Sequence, residues 1–257
     1  MDLPVNHFKH AIAAGRQQIG LWVSLASAYS TEIVAGSGFD WLLFDGEHSP
    51  NDPTTILPQL QAAAPYPVTP IVRPAWNDKV LIKRYLDVGA QSLLVPYVQT
   101  EEEAHAAVEA IRFPARGVRG VAGLTRATRF GRVADYNRRA EEELCLLVQI
   151  ETRQGLDNLE GIARMDGIDG VFIGPADLAA GLGHLGEQGH PEVQSAIQDA
   201  FKRIKACGKP AGILTPDEAT ARRYIEWGST FTAVGLDAGI LARESEKLAA
   251  KFRGLLF

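Results

Sequence analysis

The sequence predicts an α/β fold, a single (β/α)8 or TIM barrel that spans residues 1–257. Three observations favour this fold. The length of 257 residues matches the roughly 250 residues that one such barrel needs. Eight short apolar segments recur along the chain, and each is followed by a turn and then by helical periodicity. These segments are continuously apolar rather than alternating, which is typical of parallel strands that are buried on both faces.

The eight apolar segments are the predicted strands. They lie at residues 19–25, 41–44, 68–72, 92–95, 144–150, 170–173, 211–214 and 231–234. Strands that are separated by helices pair in parallel through right-handed crossovers, and eight such units favour closure into a barrel. Helix starts are indicated by Thr100 with Glu103, which resembles a capping box, and by the segment 215–218. The longer interval at residues 112–143 predicts a functional loop with a short helix.

Composition and charge exclude several classes of protein. The chain is 46% hydrophobic and 22% charged, which is ordinary for a globular protein with a sizeable core. Its formal net charge of -5 disfavours nucleic acid and anionic membranes as partners. Cys145 and Cys207 stand alone, and no apolar run resembles a signal peptide or a membrane span. We therefore expect a soluble, cytoplasmic protein.

Polar residues follow directly after four of the predicted strands. The second strand is followed by Asp45, Gly46, Glu47 and His48, the third by Arg73, the fifth by Glu151, and the sixth by Gly174, Pro175, Ala176 and Asp177. In a parallel barrel the catalytic groups lie at the carboxyl ends of the strands. The sequence therefore predicts one active site that is built from these residues.

Glu151 and Asp177 are the candidate metal ligands. They follow neighbouring strands, which stand about 4.8 Å apart, so both carboxylates can bind one cation together with water and substrate oxygens. Oxygen ligands without cysteine or histidine favour Mg2+ or Mn2+, and Co2+ is also compatible. Two structural alternatives stay open at this point. Glu151 can instead pair with Arg153, and Asp177 can cap a helix that begins near Leu178.

His48, Arg73 and Asp45 are the candidate catalytic residues. His48 falls at a strand end, where an imidazole can relay a proton, and Asp45 and Glu47 can orient it. Arg73 precedes Pro74 and can stabilise an enolate oxygen as negative charge develops. The alternatives are that His48 is a polar surface residue and that Arg73 forms an ion pair with Asp45 or Glu47.

A further group of residues is predicted to bind the substrate. The group comprises Arg73, Gly174, Pro175, Ala176, Asp177, Trp22, Leu124 and Leu214. The main-chain N–H groups of Ala176 and Asp177 open a predicted helix and suit a carboxylate. The side chains of Trp22, Leu124 and Leu214 are predicted to form the part of the pocket that selects the substrate, although apolar residues at such places more often serve as core or lid.

Six segments in this order resemble the HpcH/HpaI aldolase family, the class II hydroxyketoacid aldolases that cleave compounds such as 4-hydroxy-2-oxoheptane-1,7-dioate. The segments are WLLFDGEH (41–48), PIVR (70–73), LDVGAQ (86–91), GVRG (117–120), QIET (149–152) and VFIGPADL (171–178). The resemblance implies a barrel of the pyruvate/phosphoenolpyruvate-binding type. It also implies that Glu151 and Asp177 bind the metal, that Arg73 contacts the keto oxygen, and that His48 takes part in proton transfer.

The resemblance also carries implications about partners. It implies a homohexamer built as a trimer of dimers that exchange their last barrel helix, in which Asp87 reaches His48 of a neighbouring subunit. The other implied partners are small molecules, a 2-keto acid and an aldehyde. His184 and His190 look like residues of the family's loop after the metal aspartate rather than like ligands.

The predicted function is the metal-dependent, reversible cleavage of 4-hydroxy-2-keto acids to pyruvate, or a related 2-keto acid, and an aldehyde. The imine mechanism of other aldolases needs a desolvated lysine. No predicted strand has a lysine at its carboxyl end, and Lys209 precedes its strand. Two alternatives are a lyase that acts on citryl- or malyl-coenzyme A and a non-catalytic barrel that binds a keto acid.

Overall fold

The computed structural model describes residues 1–253, and its centre is a closed barrel of parallel strands. The strands are β1 (Gln18–Val23), β2 (Trp41–Asp45), β3 (Thr69–Arg73), β4 (Ser92–Val95), β5 (Cys145–Ile150), β6 (Gly170–Ile173), β7 (Ala211–Leu214) and β8 (Ser229–Leu236). Each strand pairs with the next along the chain, and β8 closes onto β1. The predicted barrel is confirmed, and the observed strand ends differ from the predicted ones by two residues at most.

Helices separate successive strands along the chain, and one helix precedes β1 and one follows β8. They are α1 (His7–Ala13), α2 (Ala28–Ala35), α3 (Pro53–Ala63), α4 (Lys79–Asp87), α5 (Glu101–Ile111), α6 (Tyr136–Glu143), α7 (Arg153–Asp157), α8 (Leu159–Arg164), α9 (Pro175–Gly181), α10 (Pro191–Ala206), α11 (Glu218–Glu226) and α12 (Asp237–Arg253). Within residues 1–253, no helix combines the length and the apolar character that a membrane crossing requires.

Apolar side chains form two cores, one on each side of the strands. Along β2, Leu42 and Phe44 pack outward against the helices, whereas Trp41 and Leu43 point into the barrel. Both faces of the strand are therefore buried. This arrangement explains why the strands read as continuous apolar runs rather than as an alternating pattern.

Helix α1 closes the amino end of the barrel. The Phe8 side chain is fully buried, and its ring centroid lies 5.9 Å from that of Trp41 and 5.7 Å from that of Phe231. Asn6 caps the helix by accepting a hydrogen bond from the Lys9 N–H at 3.0 Å. The sequence pattern predicts no element here. Because this end is filled, the barrel opens toward the carboxyl ends of its strands.

The predicted helix starts are confirmed with one correction. Thr100 caps α5 by accepting from the Glu103 N–H at 3.2 Å. A full capping box also requires the Glu103 side chain to accept from the Thr100 N–H. This part of the prediction is wrong, because the Glu103 carboxylate accepts from the Gln99 N–H at 2.7 Å instead. Asp217 caps α11 and accepts from the Thr220 N–H at 2.8 Å. The long interval contains an irregular loop at residues 112–135, which the short helix α6 follows.

Candidate active site

A cavity of about 440 Å³ opens at the carboxyl ends of the strands. Its walls contain residues from several strand ends and from the turns that follow them. They are Trp22, Ser24, Asp45, His48, Arg73, Gln149, Glu151, Phe172, Gly174, Pro175, Ala176, Asp177, Gln188, Leu214, Pro216 and Leu236. A larger cavity of about 680 Å³ lies at the amino ends, beside Lys209. Barrels of this kind carry out their chemistry at the carboxyl end, so we take the smaller cavity as the candidate active site.

Arg73 is held by two carboxylates at the floor of this cavity. Its side chain donates from Nε to Asp45 Oδ1 at 2.9 Å and from Nη2 to Asp45 Oδ2 at 2.8 Å. Its Nη1 lies 2.7 Å from Glu47 Oε2. The ring of Trp22 lies beneath the guanidinium, 5.0 Å from its carbon. The ion pair that was the alternative to a catalytic role is therefore present, and it also fixes the direction of the guanidinium.

The register of the sheet explains this clamp. Asp45 and Arg73 are paired positions at the ends of β2 and β3, so their side chains leave the sheet side by side. Burial acts to raise the pKa of Asp45, but the hydrogen bonds and charge of Arg73 outweigh it and hold that pKa below its usual value. For Glu47 burial outweighs Arg73, and its pKa is raised. Asp45 is therefore the carboxylate that stays ionised and holds Arg73 in place.

The turn after β2 places His48 at the cavity mouth. Gly46 allows the turn, because a Cβ atom there would lie 2.7 Å from the Arg73 carbonyl oxygen and 2.8 Å from the Tyr85 hydroxyl. The His48 side chain is 65% exposed, and its Nε2 lies 3.8 Å from Glu47 Oε2. His48 is thus a wall residue that remains accessible to a substrate, with Glu47 as its neighbouring carboxylate.

Glu151 is the most deeply buried carboxylate of the cavity. It is 2% exposed and accepts hydrogen bonds from the Tyr97 N–H at 2.9 Å and from Gln149 Nε2. Burial, reinforced by the charges of Glu47 and Asp177, raises its pKa to about 7. The alternative pairing of Glu151 with Arg153 is not formed.

Asp177 lies in the first turn of α9, where the cavity opens. The residue before this helix, Gly174, is its N-cap, and no side chain caps it. The alternative in which Asp177 caps a helix that begins near Leu178 is therefore wrong, and its carboxylate is left available to a ligand. Gly174 packs against Glu151 and Gln149 without room for a Cβ atom, which brings the turn close to the Glu151 carboxylate.

The carboxylates of the cavity fit a hard divalent cation. Glu151 is buried without a basic partner, and two further carboxylates act on it, so a bound cation would relieve an unfavourable concentration of negative charge. Gln149 lines the same cavity, and its Oε1 is buried without a hydrogen-bond partner, so it is a further oxygen donor at this site. Oxygen donors of this type suit Mg2+ or Mn2+. Glu151 and Asp177 are the residues that would hold the ion.

The remaining predicted site residues are divided between the cavity and other places. Trp22 and Leu214 line the cavity. Leu124 does not, since it lies in the long loop and is 79% exposed. Asp87 ends α4 and accepts a hydrogen bond from Arg119 Nη2 at 3.1 Å, outside the cavity of its own chain. Its predicted contact with His48 of a neighbouring subunit stays a prediction.

Comparison with known proteins identifies the family. The model of the family described as HpcH/HpaI aldolase/citrate lyase matches residues 18–243. The chain belongs to this family. A pyruvate aldolase of Rhizobium etli is 67% identical over 98% of this chain and 99% of its own length. A 4-hydroxy-2-oxo-heptane-1,7-dioate aldolase of Klebsiella pneumoniae is 59% identical, and the match covers 96% of this chain and 94% of that protein.

A solved structure supports the same assignment. An HpcH/HpaI aldolase/citrate lyase family protein from Burkholderia cenocepacia superposes with a TM-score of 0.94 at 39% identity, and the match covers 97% of this chain and all of that one. The fold is therefore that of an HpcH/HpaI family member along nearly the whole length of the chain.

The sequence pattern missed several residues of this HpcH/HpaI site. Gln149 lies inside an apolar strand, yet it lines the cavity beside Glu151. The sequence contained a signal for this residue. A glutamine among apolar residues is unusual, and because it stands two positions before Glu151, its side chain lies on the same face of the strand as that of Glu151. Gln188, Pro216 and Leu236 also line the cavity, but they come from loops or from a strand end whose course the sequence alone does not fix.

Proposed function

We propose that this protein is a class II aldolase that reversibly cleaves 4-hydroxy-2-keto acids to pyruvate, or a related 2-keto acid, and an aldehyde. The observation that carries this proposal is the cavity that gathers Arg73, Glu151 and Asp177 at one end of the barrel. The identity of 67% to a pyruvate aldolase over nearly the whole chain supports it. The protein is accordingly a carbon–carbon lyase.

Glu151 and Asp177 are the proposed ligands of a divalent cation, Mg2+ or Mn2+, with Co2+ also compatible. When bound, the cation supplies Lewis-acid stabilisation of the negative charge that develops on the keto oxygen. The main-chain N–H groups of Ala176 and Asp177 lie in the first turn of α9, where they can bind the substrate carboxylate.

Arg73 is the proposed electrostatic catalyst. Asp45 and Glu47 engage part of its donor set and hold its plane, so the remaining N–H groups are already oriented when the substrate enters. Donors that are fixed in advance lose no energy to reorganisation as charge develops. Arg73 therefore stabilises the enolate oxygen in both directions of the reaction.

His48 is the proposed proton-transfer group. It is accessible at the cavity mouth beside Glu47, where it can accept the proton of the C4 hydroxyl in the cleavage direction, directly or through a water molecule. No lysine is present among the described residues that line the cavity. The wall composition therefore supports enolate rather than imine chemistry.

We also propose that the protein is a homohexamer that acts in the cytoplasm. Helix α12 supports the assembly, because Asp237 is its one residue that is buried within the chain. Ile240, Leu241 and Leu248 are apolar and exposed on this helix. A 17-residue helix with such a surface is expected to pack against another subunit. This is the arrangement expected of dimers that exchange their last barrel helix.

The first experiment measures pyruvate release from a 4-hydroxy-2-keto acid after chelator treatment and after addition of Mg2+, Mn2+ or Co2+. Activity is expected to vanish with the chelator and to return with a divalent ion. The Glu151→Gln and Asp177→Asn variants are expected to stay inactive with every ion, whereas Glu187→Gln, an exposed carboxylate outside the cavity, keeps full activity. Full turnover in metal-stripped protein would contradict the proposal.

Two further measurements separate the alternatives. Cleavage of citryl- or malyl-coenzyme A, with no turnover of a hydroxyketoacid, would indicate the coenzyme A lyase. Exchange of the pyruvate methyl protons in deuterated water is expected for an aldolase, because enolate formation removes one of these protons. A methyl signal that persists despite pyruvate binding would indicate a non-catalytic keto-acid-binding barrel.

A further inference from the structure

Three potential metal-binding side chains meet at the start of α10, outside the candidate active site. They are His184, His190 and Glu192, and their ligand atoms all lie within 4.8 Å of one another. The two imidazole rings are stacked, with centroids 3.5 Å apart and planes inclined by 18°. His184 Nε2 lies 2.9 Å from Glu192 Oε2. Among residues 1–253, this is the one compact group of three or more His, Cys, Asp or Glu side chains that could hold a metal ion.

We propose that His184, His190 and Glu192 form a binding site for a transition-metal cation of the Zn2+ type, separate from the carboxylates of the barrel. Two imidazoles and one carboxylate are a donor set that zinc uses in proteins, with a fourth position left for water. Mg2+ prefers oxygen ligands throughout. The two sites of the chain are therefore expected to differ in the metal they prefer.

The ligand atoms of the cluster lie close enough for a single zinc ion to gather them. Tetrahedral zinc with Zn–N distances of about 2.0–2.1 Å holds two nitrogen ligands roughly 3.3 Å apart. The two rings are stacked, with centroids 3.5 Å apart and planes inclined by 18°, so one ring has to rotate before both nitrogens point at a common ion at this spacing. His190 Nδ1 accepts from the Glu192 N–H at 3.3 Å and so caps α10, and coordination through His190 Nε2 leaves this contact in place.

The two oxygens of Glu192 serve different partners. Its Oε1 lies 3.7 Å from Arg153 Nη2, whereas its Oε2 faces His184. Arg153 therefore holds the carboxylate from one side and leaves the other oxygen to the cation. Since Arg153 is an exposed side chain, its charge is screened by solvent and opposes a cation only weakly.

The position of the cluster links it to the cavity wall. His184 and His190 bracket a loop between α9 and α10, and Gln188 of this loop lines the candidate active site. The Gln188 carbonyl accepts from Gln194 Nε2 at 2.8 Å. A cation that joins residues 184, 190 and 192 ties both ends of this loop and so fixes the wall segment that carries Gln188.

The test titrates Zn2+ into metal-free protein that carries Glu151→Gln and Asp177→Asn, with calorimetry as the readout. Because the barrel carboxylates are removed, zinc binding is measured independently of the proposed aldolase activity. One zinc per chain is expected, and Mg2+ at the same concentration is expected to give no binding at this site.

Variants on this background assign the ligands. His184→Gln and Glu192→Gln are each expected to weaken zinc binding by more than the roughly 10–100-fold that follows the loss of an outer-sphere partner. The matched control is His105→Gln, which removes an exposed histidine that pairs with Glu109 and is expected to leave zinc binding unchanged. Circular dichroism checks that each variant is folded. Two results overturn the proposal. One is that the protein with only Glu151→Gln and Asp177→Asn binds no zinc, and the other is that its zinc affinity is unchanged by both His184→Gln and Glu192→Gln.

Discussion

Among single residues, Arg73 combines a buried charge with a fixed orientation. A lysine at this position would keep the positive charge but lose the fork that pairs with Asp45 and Glu47. We expect Arg73→Lys to lower kcat by about 10²–10³-fold, as is typical for the loss of one donor to a developing oxyanion. Steady-state kinetics of pyruvate release in saturating divalent ion measures the effect.

The control for this substitution is Arg129→Lys, which changes an exposed arginine of the long loop. Activity of Arg73→Lys within a few-fold of the parent protein would show that charge alone suffices at this position. The Asp45 clamp would then be a structural feature rather than a catalytic one.

Glu151 makes the stability of the metal-free protein depend on pH. Its pKa is about 7 in the folded chain against an ordinary 4.5, because of burial. Between these values the unfolded chain releases a proton that the folded protein retains, so the free energy of unfolding falls as the pH rises from about 4.5 to about 7. The Glu151 contribution to this loss is on the order of 3 kcal/mol.

The Glu151→Gln variant is expected to lack this part of the pH dependence and to be more stable than the parent above pH 7 in the absence of metal. Urea unfolding with chelator present, at several pH values, measures the difference between the two proteins. Glu187→Gln serves as the control for the loss of an exposed carboxylate. Parallel stability curves for the parent and Glu151→Gln would contradict the assignment of a raised pKa.

At the scale of secondary structure, α1 acts as a plug at the end of the barrel opposite the cavity. We expect Phe8→Ala to lower the free energy of unfolding by about 3–5 kcal/mol, because it leaves a void between Trp41 and Phe231. We expect kcat to be unchanged below the unfolding transition, since the substituted side chain lies at the other end. Denaturant titration and kinetics of one preparation test both expectations.

A comparison with Phe130→Ala, which shortens an exposed phenylalanine, separates the packing effect from the loss of a phenyl ring in general. A cost for Phe8→Ala no larger than that for Phe130→Ala would show that α1 does not contribute to the core.

The strands of this protein were predictable because burial on both faces leaves a simple apolar signal. The same rule located Arg73, Glu151 and Asp177, since a polar side chain at the end of such a strand, or in the turn that follows it, emerges at the carboxyl edge. Gln149 escaped the rule because it lies within the strand rather than after it. Helix α1 was missed because it is only seven residues long, too short for periodicity to indicate a helix.

The lengths of the loops could be predicted from the sequence, but the paths of their backbones could not. The sequence marked residues 112–143 as a long connection, yet it placed Leu124 in the substrate pocket, and the structure leaves that residue exposed outside the cavity. Loop conformation depends on tertiary contacts such as the ion pair between the buried Arg119 and the half-buried Asp87. No local residue pattern encodes a contact of this kind.

For the whole molecule, the exposed apolar side chains of α12 point to assembly. We expect sedimentation to give a mass of six chains of 27.8 kDa. Leu241→Arg places a charge in the expected interface and should dissociate the hexamer, because an unpaired charge in an apolar contact is costly. Leu185→Arg, at another exposed leucine, is the matched control and should leave the mass unchanged. A native protein that sediments as a monomer would exclude the proposed exchange of helices.

The tight packing of Gly174 restricts how this protein can be engineered. A Cβ atom at this position would collide with the carboxylate of Glu151 and the amide of Gln149, so randomising codon 174 is expected to return inactive clones. Leu214 lines the same cavity and is only partly buried, so we expect it to tolerate a change of volume. Libraries that aim at new aldehydes should therefore keep the glycine and vary the leucine.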